Sequence, residues 1–198
     1  MEGRRQGDTG RVLPQLAPDV VKRAQRGDER AYGAIVEAYR LPVFNYVLRT
    51  VADRELAEDL TQEVFLRVWR SLPSFGHRAQ LSTWLFQVAK NVILDSLRAR
   101  DSRPRTTELV PEVTPAILDA SAEQSETIRE LWCAVEGLSL DLRTALLLRD
   151  VVGLSYNEIA DTLDVSLATV KWRIFKAREQ VQLELSELGT ELDAVAAG

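Results

Sequence analysis

Ser155 and Glu158 stand three residues apart at the head of an apolar run, a pairing that closes a capping box and fixes where a short helix begins. That helix runs to about Leu163, Asp164 and Val165 fill a turn, and Ser166 stands where it caps a second helix. In the second helix Val170, Ile174, Ala177 and Val181 recur at helical spacing as a buried seam. Residues 138 to 185 therefore read as a helix-turn-helix. Its outer side carries Lys171, Trp172, Phe175 and Lys176, and from Ser166 to Arg178 there are four cations (Lys171, Arg173, Lys176, Arg178) and no acid. Phosphates attract such a stripe. The competing reading is a solvated amphipathic helix of an ordinary bundle, on which outer Lys and Arg only solubilise.

The rest of the chain limits the choice. Its 198 residues, 45% hydrophobic and 28% charged, suit a soluble globular protein with one large or two small domains. Strict alternation of apolar and polar residues is rare, while apolar residues recur at three and four over most of the length. An all-α fold in two small helical domains follows. A net charge of −5 argues against a general nucleic-acid coat protein, which relies on a broad positive field. Charge is segregated instead. Residues 78 to 105 hold six cations (Arg78, Lys90, Arg98, Arg100, Arg103, Arg105) and two acids (Asp95, Asp101), whereas residues 106 to 141 hold eight acids and one cation, Arg129. Two basic patches flank an acidic middle.

Cys133 is the single cysteine and has no partner for an internal disulfide, which fits a reducing compartment; its apolar surroundings place it in the core. No apolar run reaches the length of a membrane span, and the polar, Gly-rich segment through Gly10 lacks the apolar centre of a signal peptide. The expectation is a cytoplasmic protein with a disordered tail over 1–18. A first helical unit spans 19–101, with turn signals at Arg26-Gly27-Asp28 and Leu72-Pro73-Ser74-Phe75-Gly76. Pro104, Pro111 and Pro115 mark a linker over 102–122 that resists helix and strand alike. The second unit covers 123–188, and 189–198 is expected to fray.

Within the first unit, Asp53 can cap a helix in which Leu56, Leu60, Val64 and Val68 form a core stripe. Its far side shows Asp59, Gln62, Glu63 and Arg67, a face that plain solvent contact also explains. The following helix, from about Ser82 to Arg100, buries Leu85, Val88, Ala89 and Val92 and projects Trp84, Gln87, Lys90, Asn91 and Arg98 elsewhere. Ring, amide and cation on one surface make a platform for single-stranded nucleic acid, on which bases stack and phosphates are held. Trp84 fits a core position equally well.

Taken together, DLTQEVFLRVWRSLPSF (59–75), LSTWLFQVAKNVILDSLRAR (81–100) and the helix-turn-helix resemble bacterial RNA polymerase sigma factors of the small two-domain extracytoplasmic-function (ECF) group, over about residues 20 to 185. The resemblance implies a region-two domain, a linker and a region-four domain. It implies that Asp59, Gln62 and Glu63 grip the β′ clamp helices of core polymerase, and that the β subunit is a further contact. It assigns melting of the minus-ten element to the loop from Phe75 to Gln80, with His77 and Arg78, and to the helix bearing Thr83, Trp84, Lys90, Asn91 and Arg98. Phe75 and Asn91 are the candidates for the wall of a base pocket and the contact to a base edge. The minus-thirty-five reader would be the second helix of the motif, with Ser166, Thr169, Lys171, Trp172, Arg173, Phe175, Lys176 and Arg178. Promoter DNA, core polymerase and an anti-sigma factor are the implied partners; no cofactor is implied. The chain departs from the family pattern where a Pro and a Gly are common and it has Ser166 and Ala168, and where a small polar residue is common and it has Trp172.

Two other classes fit less well. A helix-turn-helix regulator would need a sensing cavity in the first unit, where the informative residues are instead polar and on the surface. An enzyme would need a phosphate loop, a nucleophile motif or Cys/His metal spacing, and the sequence has none of these. His77, the single histidine, has no second ligand beside it in sequence, so it reads as a polar loop residue or a phosphate contact.

Overall fold

Asp28 and Asp53 each accept a hydrogen bond at 3.0 Å from a backbone N–H three residues ahead, those of Ala31 and Leu56, and so set where two long helices begin. The computed structural model describes residues 13–76, 79–101 and 122–196. The expected tail through residue 12, most of the linker, and His77 and Arg78 lie outside the described residues. Eight α-helices and no strand are found among the described residues: α1 (Pro18–Gln25), α2 (Glu29–Val51), α3 (Arg54–Ser71), α4 (Leu81–Asp101), α5 (Ala122–Gly137), α6 (Leu140–Leu147), α7 (Tyr156–Leu163) and α8 (Leu167–Ala196). The protein is all-α.

In the first unit the turn at Gly27, whose φ is +86°, reverses the chain between α1 and α2 at a position only glycine adopts without cost. α2 then buries Ile35, Tyr39, Val43, Tyr46, Val47 and Thr50 along one stripe. It ends at Ala52, a non-glycine residue in the left-handed region with φ +54°. α3 buries Leu60, Val64 and Val68 as the periodicity predicts, together with Ala57, Thr61 and Phe65; Leu56 is half-buried. On α4 the buried set is Leu85, Ala89 and Val92 with Phe86 and Ile93 added, while Val88 is only half-buried.

The second unit begins with α5, where the structure corrects one expectation. Cys133 is exposed, because α5 turns Ala134, Val135 and Leu138 inward and leaves position 133 on the opposite side. α6 runs into a π-helical turn, Leu148–Val152, which Gly153 (φ +88°) ends. The capping box at α7 is complete: the Ser155 N–H donates to the Glu158 carboxylate at 2.8 Å and the Glu158 N–H to the Ser155 hydroxyl at 3.3 Å. Asp164, in the left-handed conformation, makes the turn into α8. Val170, Ile174, Ala177 and Val181 are all buried, so the seam lies where the spacing puts it. α8 continues as helix to Ala196, past Leu188 where fraying is expected, through a stretch rich in Leu, Glu and Ala, which favour helix.

Buried side chains of α1 to α4 and of α5 to α8 join in one continuous apolar cluster. α4 packs against α7, and α2 packs against α5, α6 and the π-helical turn.

Candidate functional site

The polar face of α3 is a stripe, since Asp59, Gln62 and Glu63 are separated by three and four residues and so share one side of the helix. Asp59 and Gln62 are exposed and Glu63 is half-buried. Glu63 is also engaged: Arg67 donates to it at 2.7 Å and to Asp95 of α4 at 2.7 Å, and these two carboxylates raise the pKa of the guanidinium. Beside the stripe lies a groove of about 600 Å³ between α2 and α3, lined by Gln62 and by Tyr32, Val36, Phe65, Leu66 and Trp69. Leu66 is 50% exposed there. Tyr32 packs against Trp69 with ring centroids 4.6 Å apart and planes tilted by 59°, its hydroxyl donates to the Phe65 carbonyl, and burial pushes its pKa up to about 12. Sequence reading found the polar half of this face and missed the apolar half. Its signal was the apolar Leu66 and Trp69, flanking Arg67 and Val68 on the same helix.

The second candidate surface is α4 with the loop before it. Phe75 is 7% exposed and packs on Trp84, ring centroids 4.9 Å apart, so these two are brought together as an aromatic pair. Gln25 of α1 holds the loop in place by donating to the carbonyls of Leu72 and Phe75 at 3.2 and 2.8 Å, a role with no local sequence signal. Asn91 and Arg98 are exposed and Lys90 is half-buried. Burial lowers the pKa of Lys90 and the charge of Asp164 opposes that. Thr83 is 3% exposed, which corrects its expected place on an open face: α7 packs against α4 there, the Thr162 hydroxyl standing 3.4 Å from the Thr83 carbonyl while it donates to the Glu158 carbonyl at 2.7 Å.

On α8 the cap is as expected, the Thr169 N–H donating to the Ser166 hydroxyl at 3.1 Å. Trp172 and Phe175 are 59% and 67% exposed, opposite the buried seam. The cations are less free than a bare count implies. Arg173 pairs with Asp141 at 2.5 Å, Lys176 with Glu179 at 2.6 Å and Arg178 with Asp150 at 2.6 Å. Arg173 is the correction here, since only 16% of its side chain is exposed and it reaches back to α6. Lys171 alone of the four makes no ion pair with a described residue. No group of three His, Cys, Asp or Glu side chains that would hold a metal occurs among the described residues.

Two family models match the chain, Sigma-70 region 2 over residues 35–103 and Sigma-70 region 4 over residues 128–181. The ECF RNA polymerase sigma-E factor of Escherichia coli is 34% identical over 186 residues, which is 88% of this chain and 97% of that one. The chain belongs to the ECF group of RNA polymerase sigma factors. The RNA polymerase sigma-H factor of Pseudomonas aeruginosa is similar too, 33% identical over 85% of this chain and 93% of its own length. Among solved structures, CnrH in complex with the cytosolic domain of CnrY shares the fold with a TM-score of 0.67 at 22% identity, covering 85% of this chain and 96% of that one. The sigma factor RpoE of Bartonella quintana, in complex with the anti-sigma factor NepR, gives 0.63 at 22% identity, covering 78% and 96%. As an ECF sigma factor the chain binds core RNA polymerase and directs transcription initiation at promoters. A regulator with a sensing domain is not favoured, because α2 to α4 are region two. No helix among the described residues is long and apolar enough to cross a membrane.

Proposed function

We propose that this sigma factor divides its work among three surfaces and performs no covalent chemistry of its own. The α3 stripe of Asp59, Gln62 and Glu63, with the neighbouring groove, docks on the β′ clamp helices. The segment from Phe75, including His77 and Arg78 by their place in the sequence, and the α4 residues Trp84, Lys90, Asn91 and Arg98 hold the melted minus-ten strand. The first half of α8 enters the major groove of the minus-thirty-five element: Trp172 and Phe175 meet bases, while Ser166, Thr169, Lys171, Lys176 and Arg178 meet phosphates or base edges.

The observation that carries this reading is the pair of large apolar side chains on α8, Trp172 and Phe175, left in solvent on a helix whose other side is buried. Exposed aromatic surface beside cations suits contact with base edges and thymine methyls. At the minus-ten element the physical demand is different. Extruding a base loses a few kcal/mol of stacking, and an aromatic wall with a hydrogen-bonding amide offsets that loss. Phe75 on Trp84 supplies the wall and the exposed Asn91 amide the hydrogen bonds.

The chain works as two domains, 19–101 and 123–188, joined through 102–122, and acts in the cytoplasm. Because the Bartonella relative is solved with an anti-sigma factor, a protein of that kind is proposed as the partner that holds this one inactive. The decisive experiment is runoff transcription with purified core polymerase on a library of genomic promoters. Transcripts that start at a shared motif only when the chain is added support the reading, and their absence overturns it.

A further inference from the structure

Phe75 is buried on Trp84, ring centroids 4.9 Å apart and planes tilted by 36°, but apolar contact has no direction and does not by itself set where a base wall stands. Its direction comes from the backbone. Leu72 and Phe75 close a single 3-10 turn, Leu72–Ser74, in which the Phe75 N–H donates to the Leu72 carbonyl at 3.0 Å. Gly76, next in the chain, is exposed, with nothing but its chain neighbours within 4 Å of where a side chain would start. The turn therefore needs a hold from outside, and α1 supplies it. Nε2 of Gln25 donates to the carbonyls at both ends of the turn, 3.2 Å to Leu72 and 2.8 Å to Phe75. A planar amide carries its two N–H donors at a fixed angle, so a grip on both carbonyls sets the orientation of the turn as well as its distance.

The mount of that grip is rigid. Ahead of α1, the Tyr39 hydroxyl of α2 donates to the Pro14 carbonyl at 2.8 Å. Within α1, Val21 and Ala24 are buried. Behind it, the chain turns at Gly27, and Arg23 pairs at 2.8 Å with Asp28, the cap of α2. Gln25 itself is half-buried and lies outside the residues assigned to polymerase and DNA. A side chain held this way can fix the ones that do touch the ligand.

We infer that Gln25 is a positioning residue for promoter opening: its amide clamps the turn so that Phe75 stands where it and Asn91 together take up an extruded base. This rests on the assignment of Phe75 and Asn91 to the base pocket. A displacement of about 1 Å at a working centre lowers rates by up to roughly a hundredfold, so a turn released by a fraction of that distance is expected to slow opening by roughly tenfold.

The test uses the full chain bound to core polymerase on a promoter that the complex opens. Gln25→Met keeps the length of the side chain and removes both donors, and Gln25→Glu keeps its shape but turns oxygens toward the same carbonyls. Both are expected to slow the appearance of permanganate-reactive thymines in the minus-ten element by roughly tenfold at saturating complex, with affinity for core polymerase and closed-complex formation as in wild type. Both should also weaken the base preference selected from a promoter library randomised at the minus-ten element. Gln25→Lys, which keeps donors for the two carbonyls, should return rate and preference toward wild type. A residue that only stabilised the fold would lower the fraction of active complex and leave the opening rate of the remainder and the base preference unchanged. That outcome overturns the clamp, as does a Gln25→Lys variant as slow as Gln25→Met. Asn91→Ala, measured alongside, separates the two assignments. Slow opening by Asn91→Ala with wild-type opening by both Gln25→Met and Gln25→Glu overturns the clamp alone, whereas wild-type opening by Asn91→Ala overturns the base pocket and the clamp with it.

Discussion

Arg143 donates from Nη1 to the backbone carbonyl of Thr50, 93 residues earlier in the chain, at 2.9 Å. Its other terminal nitrogen serves the carbonyls of Glu136 and Leu138, so one guanidinium ties the end of α2 to the end of α5. Replacing it with Met keeps the aliphatic bulk and removes every donor. The expected loss is about 2 to 3 kcal/mol of stability, since carbonyls that lose a charged donor keep their desolvation cost. Urea unfolding with an unchanged slope would measure it, and a midpoint equal to wild type would refute it.

Charge reversal at Asp59 and Glu63 should abolish co-purification with core polymerase while circular dichroism stays as in wild type. Helicity is expected to survive because Asp59 is exposed and Arg67 keeps Asp95 as a partner when Glu63 is lost. Surface pairs of this sort contribute about 0 to 1 kcal/mol. Retained binding by the double variant would move the polymerase face elsewhere.

Asn91 and Phe75 should separate experimentally, although both are assigned to the base pocket. Asn91 is exposed, so Asn91→Ala is expected to change stability by less than about 0.5 kcal/mol and to reduce permanganate reactivity of minus-ten thymines in the polymerase complex. Phe75 is buried on Trp84, so Phe75→Ala should cost about 3 to 5 kcal/mol and lose function through unfolding. Normal thymine reactivity in Asn91→Ala would place the pocket on other residues.

Trp172 is 59% exposed, which excludes the large penalty that truncating a core tryptophan brings. Trp172→Ser should leave the melting temperature nearly unchanged and alter the preferred minus-thirty-five bases, by about 1 to 3 kcal/mol at the affected position. Selection from a randomised minus-thirty-five library reads the preference directly. An unchanged preference would show that the indole does not touch the bases.

Ala52 holds a left-handed conformation with φ +54° between α2 and α3, where its N–H bonds back to the Leu48 carbonyl. A side chain there costs about 1 to 2 kcal/mol, and glycine removes that strain at the expense of a more disordered unfolded chain. Ala52→Gly is accordingly expected to stabilise the protein by about 0.5 to 1 kcal/mol in thermal unfolding. Destabilisation would mean that the methyl group contributes packing that outweighs the strain.

Whatever depends on neighbours within about one helical turn was legible before any coordinates. The caps at Asp53, Ser155 and Ser166, the turn at Asp164 and the α8 seam from Val170 to Val181 all lie where spacing and side-chain chemistry put them. These features are decided by residues three or four apart, and a sequence displays such pairs directly. What the fold alone decided involves partners far apart in the chain. Arg173 is drawn to Asp141 and Arg178 to Asp150, so a stripe that counts as four free cations is largely paired. Cys133 faces out because α5 has only one side to bury. Thr83 lies under Thr162, 79 residues away, and Phe75 lies against Trp84 in a loop that Gln25 holds. Periodicity tells which side of a helix is apolar, but not which other helix will cover the polar residues beside that stripe. That choice is made when distant surfaces compete for burial, and here it closes α7 over α4.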